Sequence, residues 1–226
     1  MKKHLVISGA GRGIGLALAR LALEKNYRVT ALVRTATPEL EALTKSPECT
    51  ILPCDVSKAD DILRVKSELG DDVIDVLVNN AGMYPKNDDD FASLDLDGVR
   101  LAMETNFIAP MAVTQALLPA VLKSEDPRVA HVTSLMGSIA DNGSGGSYGY
   151  RTSKAALNMF NKSFAADHDS LISLVLHPGW VKTRMGGEQA PTPPEESARG
   201  MLGVIENAKA SDTGKFFDFE GDEIPW

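Results

Sequence analysis

Apolar, β-branched runs alternate along the chain with longer segments of helical periodicity. Runs at 4–8, 28–33, 50–53, 73–78, 128–133 and 172–177 are rich in Val, Leu, Ile and Ala, and a shorter one follows at 215–218. Most of them show no alternation of apolar and polar positions. Strands buried on both faces read this way, because neither face is given to water. Between them, segments at 13–25, 38–45, 58–69, 96–123, 153–168 and 194–207 space their apolar residues as one face of a helix. Regular exchange of strand and helix predicts an α/β fold, a doubly wound parallel sheet with helices on both faces in a single domain over 1–226.

Loops and composition narrow the picture. The Pro- and Gly-rich tract at 186–194 is too short to separate domains, and is expected to be a loop ending where Pro194 opens a helix. A lid and a passive connection both fit it. The apolar run after Met1-Lys2-Lys3 is broken at once by Gly9 and Gly11, so no signal-peptide core forms. No run approaches the ~20 apolar residues that span a bilayer. With 23 Lys+Arg against 31 Asp+Glu, the net charge of −8 speaks against a nucleic-acid binder, which needs a basic face. Cys49 and Cys54 make neither a disulfide framework nor a zinc site, and suit reduced thiols in a cytoplasmic protein. The four histidines are scattered, so no metal site is expected; His131, on a strand, reads as a core residue. Asp88-Asp89-Asp90 reads as a solvated loop.

Candidate chemistry begins directly after the first strand. Ser8-Gly9-Ala10-Gly11-Arg12-Gly13-Ile14-Gly15 leads into the first helix. Glycines there let the backbone approach a pyrophosphate, and the helix N-terminus offers free N–H donors. The spacing Gly9-xxx-Gly13-x-Gly15 departs from GxGxxG, because Ile14 holds the intervening position. At the end of the second strand an NAD enzyme carries a carboxylate for the ribose 2′-hydroxyl. This chain has Arg34, with Arg12 also to hand. Two guanidiniums suit a 2′-phosphate, so NADP(H) is expected over NAD(H).

Tyr150 and Lys154, four apart, share one helical face. A free phenol has a pKa near 10 and is a poor acid–base catalyst at neutrality; a nearby ammonium is expected to lower it. Ser134, just after the fifth strand, can hydrogen-bond a substrate carbonyl. Asn79-Asn80-Ala81-Gly82 closes the fourth strand with residues small enough for a ribose to pass. Pro110 has no N–H, so the carbonyl of Asn106 is expected to lose its helical partner, kink the helix and hold a water that relays protons to Lys154.

Together these residues resemble the short-chain dehydrogenase/reductase family over essentially the whole chain, including Asp55-Val56 and His177-Pro178-Gly179-Trp180-Val181-Lys182-Thr183. Two stretches, 145–158 and 216–226, are similar to the C-factor and sniffer-type carbonyl reductases. The resemblance implies a Rossmann-like sheet of order 3-2-1-4-5-6-7, a nicotinamide cofactor, and a tetrad of Asn106, Ser134, Tyr150 and Lys154. It also implies that Asp55 and Val56 border the adenine, that Val181 and Thr183 hold the carboxamide, and that Pro178 and Gly179 belong to the cofactor-binding set. Asn142-Gly143-Ser144-Gly145-Gly146 lengthens the Ser134–Tyr150 gap and is expected to shape the substrate mouth. The expected partner is a small carbonyl or alcohol, with no nucleic acid and no membrane. Ala155, Ala156 and Ala165 are small enough for close helix pairing, which suits a homodimer or homotetramer. The competing reading is an NADP-binding signalling or regulatory protein with little turnover, which would have no need of the tetrad.

Overall fold

The chain is described by a computed structural model over residues 2–226. Seven parallel strands form one sheet: β1 (His4–Ser8), β2 (Arg28–Val33), β3 (Cys49–Pro53), β4 (Val76–Asn79), β5 (Arg128–Val132), β6 (Ile172–His177) and β7 (Phe216–Asp218). Their order is β3-β2-β1-β4-β5-β6-β7, as the resemblance implies. The helices are α1 (Gly13–Glu24), α2 (Pro38–Glu41), α3 (Ala59–Leu69), α4 (Leu96–Met103), α5 (Ala109–Val121), α6 (Tyr148–Asp167) and α7 (Pro194–Asn207).

The side-chain parity of β1 shows why its sequence is continuously apolar. Leu5 and Ile7 belong to one core with Leu18 of α1 and Met201 and Leu202 of α7. Val6 belongs to the other, with Val65 of α3, Val113 and Leu117 of α5 and Phe164 of α6. All of these except Phe164 are essentially inaccessible to water. Each such side chain contributes on the order of 2 kcal/mol of burial, and truncating one to alanine costs about 2–5 kcal/mol because the cavity only partly collapses.

Two departures from the sequence pattern have identifiable causes, and one open question about a loop is narrowed. The segment expected as one helix over 96–123 is α4, a π-helical turn at Glu104–Ile108, and α5. The ladder widens around Asn106, so the N–H that Pro110 lacks is accommodated by a π turn rather than by a simple kink. The helix expected from 153 begins five residues earlier, at Tyr148, because a distant residue caps it, as described below. The tract at 186–194 is held down: Val181 and Thr192 form a parallel bridge, Lys182 N–H donates to Thr192 O at 2.8 Å, and Trp180 Nε1 donates to Gly186 O at 2.8 Å.

Cys49 and Cys54 are buried free thiols. His131 is fully buried, and desolvation pushes its pKa down to about 3, so it stays neutral. Of the three small residues on α6, Ala165 packs inside its own chain, while Ala155 and Ala156 stay half-buried. No described helix is long and apolar enough to cross a membrane.

Candidate active site

β1, β4, β5 and β6 release their chains at the same edge of the sheet, and the strand order reverses between β1 and β4. Ligands of such sheets bind in the crevice at that point. Ser8 closes β1, and its Oγ accepts from the N–H groups of both Asn80 and Ala81 at 3.1 Å. Asn80 Nδ2 donates back to the carbonyls of Ser8 (3.0 Å) and Gly9 (3.2 Å). The glycine turn is thereby fastened to the end of β4. Gly15 must be glycine: a Cβ there would stand 2.4 Å from the Gly9 carbonyl oxygen and 2.5 Å from Asn80 Nδ2. Gly13, with φ of 53°, faces Thr183 across the crevice, and a Cβ on it would come within 3.0 Å of the threonine methyl.

The start of α1 is equipped for an anion. Its N-cap residue, Arg12, makes no side-chain capping bond, and the first turn carries no carboxylate. The N–H groups there, Ile14 among them, therefore have no acidic side chain competing for them. Arg12 is exposed beside this end, and Arg34 is exposed just beyond β2. Asp55 follows β3, where the Ser57 hydroxyl holds its carboxyl below the usual range against the effect of burial, with Arg34 among the cations that assist. Val56, next to it, is buried. A phosphate-bearing dinucleotide fits this set of donors, cations and glycine-lined backbone.

On the other side of the crevice, Tyr150 lies in the first turn of α6 and Lys154 one turn later, both almost wholly buried. Lys154 Nζ donates to the Val132 carbonyl at 2.8 Å and lies 5.8 Å from the centre of the Tyr150 ring. A Cβ on Gly82 would meet that ammonium at 3.6 Å, which sets the β4 turn directly against it. Ser134 caps the short turn after β5, its Oγ accepting the N–H of Met136 at 3.2 Å. Thr133 Oγ1 donates to Asn158 Oδ1 at 2.7 Å and Asn158 Nδ2 to Gly137 O at 3.2 Å, tying the Ser134 segment to α6.

Electrostatics correct one expectation. In the chain by itself the phenol is not lowered: burial pushes Tyr150 up to about 12, and the Ser134 hydroxyl offsets only part of that. The same burial pushes Lys154 down to about 8. Both shifts disfavour charge in a dry crevice.

Asn106 is fully buried and engages through its side chain. Oδ1 accepts the Met83 N–H at 2.8 Å, and Nδ2 donates to Met83 O (2.9 Å) and Ser153 Oγ (3.0 Å). Ser153 Oγ in turn donates to the Tyr150 carbonyl at 2.8 Å. Asn106 thus links the chain beyond Gly82 to α6 through Ser153, a residue the sequence did not single out.

Asp88 overturns the reading of residues 88–90 as a solvated loop. It is 1% exposed, and its carboxylate accepts the backbone N–H groups of Gly149 (2.6 Å) and Tyr150 (2.8 Å). Asp89 and Asp90 are exposed, as expected. Tyr84, from the same loop, lays its ring 4.8 Å from that of Tyr150. Residues 142–145 of the inserted loop are exposed, and Arg151 donates to Ser144 Oγ at 2.9 Å. Pro178 O accepts from Ser197 Oγ at 2.6 Å, Val181 is buried, and Gly179 is packed against the Phe219 ring, so the turn after β6 is firmly seated.

A doubly wound sheet with this crevice defines a nucleotide-binding oxidoreductase scaffold. The profile of the family described as short chain dehydrogenase matches residues 3–194. The chain belongs to the short-chain dehydrogenase family and is an oxidoreductase of that class. It is 44% identical over 159 residues to the C-signal protein of Myxococcus xanthus, covering 68% of this chain and 93% of that one. Among solved structures, the carbonyl reductase Sniffer of D. melanogaster superposes with a TM-score of 0.93 at 28% identity, covering 100% of both chains. A carbonyl reductase from Pseudomonas aeruginosa PAO1 in complex with NADP gives a TM-score of 0.90 at 35% identity, again over 100% of both.

Proposed function

We propose that the protein transfers hydride reversibly between NADP(H) and a small carbonyl or alcohol, with Tyr150 as general acid and base. The observation that carries this reading is the burial of Tyr150 and Lys154 together against the Gly82 turn, with the Ser134 segment tied to the same helix through Thr133 and Asn158. The NADP complex of the Pseudomonas carbonyl reductase supports the choice of cofactor.

In this reading the backbone of Gly9, Arg12, Gly13, Ile14 and Gly15 holds the pyrophosphate, and Arg12 and Arg34 grip the 2′-phosphate. Asp55 and Val56 border the adenine. Asn80, Ala81 and Gly82 flank the nicotinamide ribose, whose hydroxyls Lys154 and Tyr150 hold. Pro178, Gly179, Val181 and Thr183 line the carboxamide end. The bound dinucleotide supplies the hydride and, when oxidised, a positive charge beside the phenol.

Ser134 donates to the carbonyl oxygen and orients it. Tyr150 gives that oxygen a proton as negative charge develops there. Lys154, held by the Val132 carbonyl, stabilises the phenolate left behind. We assign the return of the proton to the main-chain carbonyl of Asn106, at the π turn, as the anchor of a water leading to Lys154.

A regulatory protein that only binds NADP would have no use for an acid, an ammonium and a hydroxyl buried together. The test is turnover of NADPH with a panel of aldehydes, ketones and quinones in wild type and Tyr150→Phe. The variant is expected to lose at least about a thousandfold in kcat, within the range for a general acid, while NADPH affinity falls by no more than the roughly tenfold that one lost ribose hydrogen bond costs. Turnover retained by Tyr150→Phe would refute the acid role. Tight NADPH binding with no turnover of any carbonyl by wild type would favour the regulator.

A further inference from the structure

Helix α6 carries the proposed acid in its first turn, yet nothing local caps it. Ser147, the residue before Tyr148, lies in the left-handed region (φ 51°, ψ 43°), and its side chain makes no capping bond. Its hydroxyl meets Tyr84 Oη at 2.5 Å and donates to Asp89 Oδ1 at 3.0 Å instead. The first N–H groups of a helix have no partners within it, and leaving one buried and unpaired costs about 1–3 kcal/mol.

Asp88 meets that need from 60 or so positions away in sequence. Its main-chain carbonyl accepts the Tyr148 N–H at 3.0 Å, Oδ1 that of Gly149 at 2.6 Å, and Oδ2 that of Tyr150 at 2.8 Å. A carboxylate at this end of a 20-residue helix is also favoured by the helix dipole. The approach is close enough to require glycine at 149, where a Cβ would stand 3.0 Å from Oδ1 and 2.9 Å from the Val99 side chain. On the other side, the Tyr84 ring lies against the Tyr150 ring, tilted by 34°.

We propose that Asp88 is a positioning residue for the reaction: by gripping the main chain of Tyr150 itself, it fixes where the phenol stands relative to Ser134 and Lys154. The inference rests on the reading of Tyr150 as the acid, though on no particular carbonyl substrate. A residue that only stabilised the fold would change the amount of active protein. A positioning residue changes the rate per intact site.

The experiment compares kcat per NADPH-binding site, and KM for NADPH, in wild type, Asp88→Asn and Asp88→Ala. Asparagine keeps the shape but presents one acceptor to two N–H groups; alanine presents none. Misplacing a reacting group by about 1 Å can cost on the order of a hundredfold. The expected result is a kcat per site reduced roughly tenfold in Asp88→Asn and roughly a hundredfold in Asp88→Ala, with KM for NADPH within about twofold of wild type. A kcat per site unchanged in both variants overturns the proposal, as does a loss confined to cofactor binding. Should neither variant fold, hydrogen exchange in the wild type decides. The Gly149 and Tyr150 amides are expected to be as protected as the Leu157 amide in mid-helix, and exchange at the rate of a frayed end overturns the capping. Tyr150→Phe keeps the two claims apart: retained turnover there removes the acid reading, whereas its loss beside unchanged Asp88→Asn and Asp88→Ala removes only this inference.

Discussion

Where β1 meets β4, the wall of the crevice is main chain against main chain. Gly15 leaves no room for a Cβ beside the Gly9 carbonyl, and Ser8 and Asn80 knit the two strand ends together within hydrogen-bond distance. Where β5 meets α6, the wall is made of side chains drawn from distant parts of the chain: Ser134, Tyr150, Lys154, Asn106, Ser153 and Asp88. The first wall needs its glycines free of a Cβ, and its tolerance of substitution there is set by sterics. The second needs particular groups in a dry environment, and its behaviour is set by charge. Binding and chemistry are therefore separable in this protein by different kinds of substitution.

The sharpest way to break that comparison is Gly15→Ala. Its new methyl would collide with backbone on one side and the Asn80 amide on the other, and neither can move without pulling the turn off β4. Overpacking of this kind costs typically 1–3 kcal/mol and more where backbone must shift. NADPH affinity is expected to fall by at least about a hundredfold, or about 2.7 kcal/mol, as measured by fluorescence titration. Tyr150→Phe, by contrast, keeps most of the affinity and loses turnover. Native NADPH affinity in Gly15→Ala would sink the account of the first wall.

Arg34→Ala refines it. Arg34 is exposed and contributes no packing, so its removal tests charge alone. A charge-assisted hydrogen bond contributes about 1.5–3 kcal/mol, so the NADPH Kd is expected to rise roughly ten- to a hundredfold while the NADH Kd stays the same. A preference for NADPH that persists unchanged would remove Arg34 from cofactor selection and leave Arg12 as the remaining candidate.

The two walls also differ in how far they are written in the sequence. The glycine turn is legible because its physics is local. Glycines between a strand and a helix predict a tight approach of backbone, and the parity of β1 predicts two cores. Tyr150, Lys154 and Ser134 are legible as residue types at known places along an α/β pattern. Asp88 is not, because its partners lie about 60 residues away and nothing in Asp88-Asp89-Asp90 distinguishes a buried cap from its exposed neighbours. The early start of α6 was hidden for the same reason: its first N–H groups are met by Asp88, while the adjacent Ser147 hydroxyl turns to Tyr84 and Asp89. The direction of the Tyr150 shift was hidden too. Spacing places an ammonium near a phenol but carries no information about desolvation, which here dominates both groups.

That desolvation has a measurable consequence in the cofactor-free protein. Lys154 ordinarily titrates near 10.5 and is pushed down to about 8 by burial. Between those values the unfolded chain holds a proton that the folded chain has released, so stability rises with pH across the interval. Below pH 8 both states are protonated, and the folded state bears the full cost of a buried ammonium. Lys154→Met has no such cost at any pH. The Tm advantage of Lys154→Met over wild type should therefore be largest below pH 8 and shrink steadily toward pH 10. The span is up to about 3 kcal/mol, or roughly 5–10 °C for a chain of this size. Tyr150 does not interfere over this interval, because its own shift, up to about 12, acts only above the ordinary phenol value of 10 and lowers stability there. A difference in Tm that stays flat from pH 7 to 10 would mean that the Lys154 ammonium is solvated in the free protein. The second wall would then become dry only when a ligand covers it.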